Sequence, residues 1–204
     1  MTVERSLRLH GNPVSEADVV LIDGTRLVAA AATDADGRFA LPDESGTLLI
    51  RVRQPAIVVA AVAPGAVDID LRPRLCRLSG TIDNAAPPLT VYIDPVAGPG
   101  LTPVLAAFIL QRSAKVRSSH YVALQVPGDA FAVTVAAGTY RVTGNRLDYD
   151  RPMAVEKGPP SVTVGEIRRA GKPLPGDPWG GFTVDVQEDT ELTLILREAA
   201  DDEL

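Results

Sequence analysis

The sequence predicts an all-β fold, arranged as two tandem antiparallel Greek-key β-sandwiches. Three observations support this prediction. Short segments of alternating apolar and polar residues recur along the chain, turn-forming residues separate them, and the second half repeats features of the first. Glycine and proline number 17 each in 204 residues, above their usual shares of roughly 7% and 5%, which favours a chain with many turns.

The first half supplies a series of short candidate strands. Leu7 and Leu9 alternate with polar neighbours and precede a turn at Gly11-Asn12-Pro13, as expected for a half-buried strand. Asp23-Gly24 is a dipeptide favoured in tight hairpins. Further candidate strands follow at short intervals at residues 17–22, 27–32, 38–41, 47–53, 56–63 and 67–71. Strands of this length and spacing are typical of an antiparallel sandwich.

Three sequence features recur in the second half. LHG at residues 9–11 is echoed by LSG at 78–80, VLID at 20–23 by VYID at 91–94, and FALPDESGTLLIRV from Phe39 by FAVTVAAGTYRVTG from Phe131. Such self-similarity indicates two copies of one supersecondary plan. We predict a boundary near Arg72-Pro73-Arg74, which gives domains of residues 1–72 and 73–204.

The second copy carries two insertions, at residues 95–119 and 151–180. In the first, Thr102 could cap a short helix with Pro103 in its first turn, although this short apolar run also fits a strand. The second is rich in proline and glycine and is predicted to be a long loop with a hairpin around residues 161–168. Long loops in compact domains are often functional. A strand at 191–197 and a frayed acidic tail close the chain.

The stretch TDADGRF, residues 33–39, could bind calcium or turn the chain. An EF-type calcium loop needs a third acidic position and a closing bidentate glutamate, and neither is present in register. Asp34 is instead suited to accept hydrogen bonds from backbone amides two residues on, and Gly37 to adopt a positive φ. We therefore predict a turn, with Phe39 pointing inward and no metal bound.

Residues 8–53 resemble the carboxypeptidase regulatory-like domain, a prealbumin (transthyretin-like) sandwich. The resemblance rests on Gly11-x-Pro13-Val14, Ala17-x-Val19-x-Leu21, Thr33-Asp34-x-Asp36-Gly37-x-Phe39-x-Leu41 and Gly46-Thr47, and more loosely on Gly128-Asp129-Ala130-Phe131 and Gly138-Thr139-Tyr140. It implies prealbumin-type sandwiches, the second one divergent, and an accessory module that serves as a spacer, a folding aid or a partner surface.

Composition excludes several classes of partner. The net charge is −6 and the basic residues are scattered, so nucleic acid is not expected. The longest apolar run, residues 56–63, is far shorter than the roughly 20 residues that span a bilayer, so no membrane is expected either. The single cysteine, Cys76, fits a reducing compartment and is expected to be a small buried side chain. With no stretch of signal-peptide type at the N-terminus, we expect a cytoplasmic protein.

No catalytic constellation is evident, so we predict no enzyme and no cofactor. His10 and His120 have no HxH, HxxxH or cysteine partner, and adjacent residues in Ser119-His120 would point to opposite faces of a strand. The transthyretin-like hydrolases share the prealbumin sandwich, but their activity depends on a C-terminal Tyr-Arg-Gly-Ser, which is absent here. An unrecognised hydrolase, with one histidine sharing a pocket with a hydroxyl and a carboxylate, is kept as an alternative.

We predict a non-catalytic protein-interaction or structural module, an adaptor or a component of a larger assembly. The two insertions are the predicted contact surface. The candidate partner-contact residues are Trp179, Phe182, Tyr149 and Phe108. Because tryptophan is frequent among interface hot spots and also stacks on sugars, carbohydrate binding through the Trp179 loop is the first alternative.

Overall fold

The computed structural model describes residues 1–24, 26–52, 56–83, 89–97, 122–146, 162–178 and 180–198. All its elements in these ranges are strands, so the prediction of an all-β protein is confirmed. The first eight strands are β1 (Thr2–Leu9), β2 (Asn12–Pro13), β3 (Asp18–Asp23), β4 (Arg26–Ala32), β5 (Arg38–Pro42), β6 (Thr47–Val52), β7 (Ala56–Val62) and β8 (Asp68–Leu71). The others are β9 (Leu75–Asp83), β10 (Leu89–Ala97), β11 (Val122–Val126), β12 (Ala130–Ala136), β13 (Gly138–Arg146), β14 (Val162–Arg169), β15 (Lys172–Pro173), β16 (Phe182–Val186) and β17 (Thr190–Glu198).

The described chain forms two compact units, and the domain boundary near Arg72-Pro73-Arg74 stays a prediction. The first unit contains residues 1–76, 96–97 and 134–138. The second contains residues 77–95, 122–133, 139–146 and 162–198. The second unit is therefore assembled from separated segments of the chain.

The first unit contains two sheets. In one, β1 pairs antiparallel with β2 and β5 and parallel with β8. In the other, β7, β6, β3 and β4 follow one another in antiparallel order, and a short piece of β12 pairs parallel with β7. Strand β4 is the terminal strand of this second sheet within the described residues.

Side chains from both sheets of the first unit form its core, so this unit is a sandwich. Leu7 and Phe39 come from the sheet of β1, whereas Val19, Leu21 and Ile50 come from the sheet of β3. Each is at most 4% exposed. Burying one side chain of this kind stabilises the fold by about 2 kcal/mol. The alternation along β5 fixes which of its faces points inward, whereas four consecutive residues of β3 are buried.

The second unit has the strand order β11, β10, β13, β14, β17, β9, with β15 added to β14 and β16 to β13. Strands β14 and β17 pair antiparallel along their length, and β17 pairs parallel with β9. Val142, Ile167 and Leu194 are fully buried. Residues 101–112, which the sequence predicts as either a helix or a strand, lie outside the described residues.

The segment 162–169 is a core strand that forms a hairpin with β15, where the sequence predicts a hairpin around residues 161–168. Strand β14 pairs with β17 and, at its start, with β13. Val164 and Ile167 are 2% and 0% exposed. The proline and glycine residues that flank this segment are the reason why a loop is predicted on either side of the hairpin. Residues 151–161 lie outside the described residues.

The predicted counterpart of the first hairpin turn is also corrected. LSG at residues 78–80 lies inside β9, where a Cβ on Gly80 would meet the ring of Phe131. His10-Gly11 instead has its structural counterpart in Ala170-Gly171, the tip of the β14–β15 hairpin. All four residues have positive φ, at 50° and 81° in the first pair and 49° and 77° in the second. Two-residue hairpins of this kind need positive φ at both positions.

Candidate functional site

Of the four predicted contact residues, only Phe182 lies in the described part of the chain. Its side chain is 7% exposed at the start of β16. A ring buried to this extent fills the core and offers little surface to a partner, and the partner contact at Phe182 stays a prediction. Trp179, Tyr149 and Phe108 lie outside the described residues, and carbohydrate binding through the Trp179 loop stays a prediction.

The turn at residues 33–39 uses its first aspartate as a structural acceptor. The Asp34 carboxylate accepts hydrogen bonds from the backbone amides of Asp36 and Arg38, at 2.9 and 2.8 Å. Gly37 has a φ of 75°, and Phe39 is 4% exposed. The prediction of a turn with an inward phenylalanine is confirmed. Across the described residues, no group of three or more His, Cys, Asp or Glu side chains is arranged to hold a metal ion.

His10 lies at an exposed hairpin tip and is engaged with the backbone. Its Nε2 is 2.9 Å from the carbonyl oxygen of Pro73, and its amide donates to the carbonyl oxygen of Leu71 at 2.9 Å. The neighbouring Gly11 amide donates to Asp70 at 2.9 Å. These bonds hold the hairpin tip against β8 and the residues that follow it. His120, Ser118 and Ser119 lie outside the described residues, so the hydrolase alternative stays a prediction.

A buried arginine that the sequence did not single out ties three chain segments together. Arg5 is 3% exposed, and its guanidinium donates to the carbonyl oxygens of Val3, Leu41 and Pro64 at 3.0, 3.1 and 3.2 Å. Its Nε has no hydrogen-bond partner. Carbonyl acceptors from β1, β5 and the turn after β7 make Arg5 a structural link.

Seven of the described arginines make ion pairs with neighbouring carboxylates. The pairs are Arg26–Asp23, Arg38–Glu4, Arg51–Asp18, Arg72–Asp70, Arg141–Asp177, Arg168–Glu166 and Arg169–Glu188. Because each of these arginines lies beside a carboxylate, they do not form the continuous cationic stripe that neutralises a phosphate backbone. No helix among the described residues is long and apolar enough to cross a bilayer.

Strand β4 of the first unit is apolar over most of its length and has exposed side chains. Its sequence, RLVAAAA, contains one charge and no proline. Leu27 is 50% exposed, and Ala30 and Ala32 are also exposed. Val28, Ala29 and Ala31 are partly buried and pack against the core of the sandwich.

Over residues 29–32, the outer edge of β4 lacks the charges and prolines that the other edge strands of the first unit carry. Strand β5 begins with Arg38 and ends with Pro42, and β8 carries two exposed aspartates, Asp68 and Asp70. Charges and prolines at sheet edges discourage pairing with another chain, because a free edge presents unpaired N–H and C=O groups. Within the described residues β4 pairs only with β3, so its second edge can accept a strand.

Sequence reasoning identified β4 as a strand but missed its position at an edge. The available signal was the run LVAAAA, six apolar residues without Lys, Glu, Asp or Pro. Such a run either lies between two neighbouring strands or, at the edge of a sheet, favours pairing with another chain and aggregation. Only the order of strands in the sheet distinguishes the two.

Comparison with known proteins gives distant structural likenesses alone. No protein-family model matches the chain, and no curated protein sequence matches it. The Bacillus anthracis TIE protein aligns with 98% of this chain at 11% identity and a TM-score of 0.30, and the chain spans 35% of that protein. The shaft pilin SpaA from Lactobacillus rhamnosus GG aligns with 98% of this chain and 97% of its own, at 10% identity and a TM-score of 0.26. Fervidolysin from Fervidobacterium pennivorans, a keratinolytic enzyme related to subtilisin, aligns with 95% of this chain and 30% of its own, at 12% identity and a TM-score of 0.26. Likenesses at this level carry no inference about activity or partners.

Proposed function

We propose that the protein is a non-catalytic interaction module that works as a component of a larger protein assembly. The observation that carries this proposal is the outer edge of β4, an exposed strand whose residues 27–32 are all apolar and include no charge and no proline. A partner that adds a strand there would satisfy the free backbone groups and cover Leu27 at the same time.

The chemistry-bearing side chains that the structure describes support the non-catalytic part of the proposal. His10 bonds a backbone carbonyl, Asp34 bonds the amides of its own turn, and Arg5 bonds three carbonyl oxygens. Each of these groups is engaged in holding local structure. The proposed contact surface is a strand edge of the first unit, whereas the sequence predicted the two insertions.

Site-specific photo-crosslinking tests the proposed function. A photoreactive residue replaces Ala30 in the full chain, which is then irradiated in the cells that produce it naturally. We expect a discrete adduct of higher mass, because a bound strand would lie within contact distance of Ala30. The matched control carries the same group at Ala40, an exposed alanine of β5. Equal labelling from both positions, or no adduct from Ala30, would overturn the proposal.

A further inference from the structure

We propose that the partner strand at the β4 edge is β4 of a second copy of this chain, paired antiparallel about a twofold axis. This inference rests on the proposed function and names the occupant of the same edge. Three features of the described residues support it: the direction of the free backbone groups, the distribution of charge, and the distribution of side-chain size.

The backbone groups of Ala30 and Ala32 point to the free edge. At the end of β4, the Thr33 amide donates to the Ala17 carbonyl oxygen at 3.0 Å, and the Thr33 carbonyl oxygen accepts from the Glu16 amide at 3.0 Å. The backbone groups of Thr33 therefore face the β3 side. Since successive residues of a strand direct their N–H and C=O groups to opposite edges, those of Ala30 and Ala32 face outward.

The two ends of β4 carry opposite charges. Arg26 opens the strand with a side chain that is 68% exposed and lies 3.5 Å from Asp23 in a solvent-exposed ion pair, which a second copy can exchange for its own carboxylates. The exposed residues Asp34 and Asp36 follow the other end of the strand. Antiparallel pairing of two copies places the cationic end of each strand beside the acidic end of the other. Parallel pairing would place Arg26 beside its own copy, which is unfavourable because like charges repel across a strand pair. The charges therefore select one orientation.

Side-chain size varies along β4 in the same self-complementary way. Arg26 and Leu27 are large, whereas residues 29–32 are four alanines. Alanine methyl groups allow two backbones to approach the 4.7–4.9 Å spacing of paired strands. In an antiparallel twofold pair the alanines of one strand lie opposite the alanines of the other, and Arg26 and Leu27 of each copy lie beyond the ends of the paired segment.

A β-bulge limits the length of this pairing. The register of β3 and β4 shifts between Leu21 and Ile22, which pair with Ala29 and Leu27 and leave Val28 as the extra residue. Bulges twist an edge away from regular pairing. The regular segment is therefore residues 29–32, and a pair this short is expected to dissociate readily, with a Kd of about 1 to 100 µM.

Sedimentation velocity of the full chain over a concentration series tests the inference. We expect a monomer–dimer equilibrium in that range. Ala30→Lys and Ala32→Lys each put a charge on the free edge and are expected to weaken the dimer at least tenfold. Ala40→Lys places the same charge on exposed β5 and should leave it unchanged. A chain that stays monomeric at about 1 mM, well above the expected Kd, would overturn the inference, as would edge variants that dimerise like the parent.

A charge exchange tests the antiparallel orientation. Arg26→Asp is expected to weaken the dimer, and adding Asp36→Arg to it should restore most of the loss. Failure of the double variant to recover would contradict the antiparallel pair. If the isolated chain is monomeric but Ala30 cross-links to a different protein in cells, the self-pairing inference fails and the proposed function stands. If neither dimer nor adduct forms, both fail.

Discussion

The turns at residues 34–39 and 177–182 have the same local chemistry and different surroundings. In the first, the Asp34 carboxylate accepts from the Arg38 amide at 2.8 Å and the Gly37 amide donates to the Asp34 carbonyl oxygen at 3.0 Å. In the second, the Asp177 carboxylate accepts from the Gly181 amide at 2.9 Å and the Gly180 amide donates to the Asp177 carbonyl oxygen at 3.2 Å. The positive φ of Gly37, 75°, is matched by 73° at Gly180.

The two turns differ in what they pack against. A Cβ on Gly37 would lie 2.5 Å from the carbonyl oxygen of Leu7, so this turn is pressed against β1. A Cβ on Gly180 would meet no described atom within 4 Å. The second turn is held instead by a side chain, since Arg141 of β13 donates from Nε to Asp177 at 2.6 Å.

The strands around the turns account for this difference. The β1–β2 and β14–β15 hairpins have the same tip, and the Val14 and Leu174 amides each donate across it, to the carbonyl oxygens of Leu7 and Ile167. In the first unit, β3 and β4 separate hairpin and turn, and the strand after the turn pairs with β1. In the second unit no strand separates them, and the strand after the turn pairs with β13. The same local motifs thus serve two different sheets.

The largest difference in stability between the two turns should come from replacing their glycines, Gly37 and Gly180, by alanine. Gly37→Ala combines the strain of a positive φ with a clash against β1, and should lower the free energy of unfolding by about 2 to 4 kcal/mol. Gly180→Ala adds strain alone and should cost about 1 kcal/mol. Urea denaturation followed by circular dichroism measures both. Equal losses would show that the close approach of Gly37 to Leu7 does not constrain the first turn.

A charge-neutral substitution at the two aspartates separates their roles. Asparagine keeps an oxygen acceptor for the backbone amide, so Asp34→Asn should cost at most about 0.5 kcal/mol. Asp177→Asn also removes the charge that faces Arg141, in an ion pair whose two side chains are 24% and 26% exposed. Charge-assisted hydrogen bonds are about twice as strong as neutral ones, so this variant should lose about 1 to 2 kcal/mol. The same denaturation experiment checks it, and a larger loss at Asp34 would contradict the assignment.

The smallest effect concerns pH and the first hairpin tip. The hydrogen bond from the Gly11 amide, with a further bond from Arg72, holds the pKa of Asp70 below its ordinary value of 3.8. A lowered folded-state pKa means that ionised Asp70 stabilises the fold above pH 3.8, and that this contribution is lost as pH falls through the lower folded pKa.

Thermal unfolding of the parent chain and Asp70→Asn at a series of pH values measures this effect. The parent should unfold at a slightly higher temperature near neutral pH, and the gap should close under strongly acidic conditions. Asp36→Asn is the control, since the described hydrogen bonds involve the backbone amide of Asp36 and not its carboxylate. A gap that is constant with pH would contradict the role of the Asp70 charge.

Much of the fold was predictable because it depends on local pattern. The alternation at Leu7 and Leu9 predicted β1, and Asp34, Gly37 and Phe39 predicted a turn that the structure confirms. Cys76 is buried, at 2% exposed, as expected. A hairpin around residues 161–168 was predicted, but the pairing of its first strand with β13 and β17 was not, because these partners are distant in the sequence. The β4 edge was missed because the position of a strand in its sheet depends on residues distant in the sequence.

The sequence by itself determined most strands of the first unit and the turn at residues 33–39, because periodicity, glycine and short polar side chains act within a few residues. The tertiary structure alone decided which strands became neighbours. It placed Gly37 against Leu7, set Arg141 beside Asp177, and left β4 at an edge. Such choices arise from burial and backbone pairing between distant segments, which identical local motifs permit in more than one arrangement.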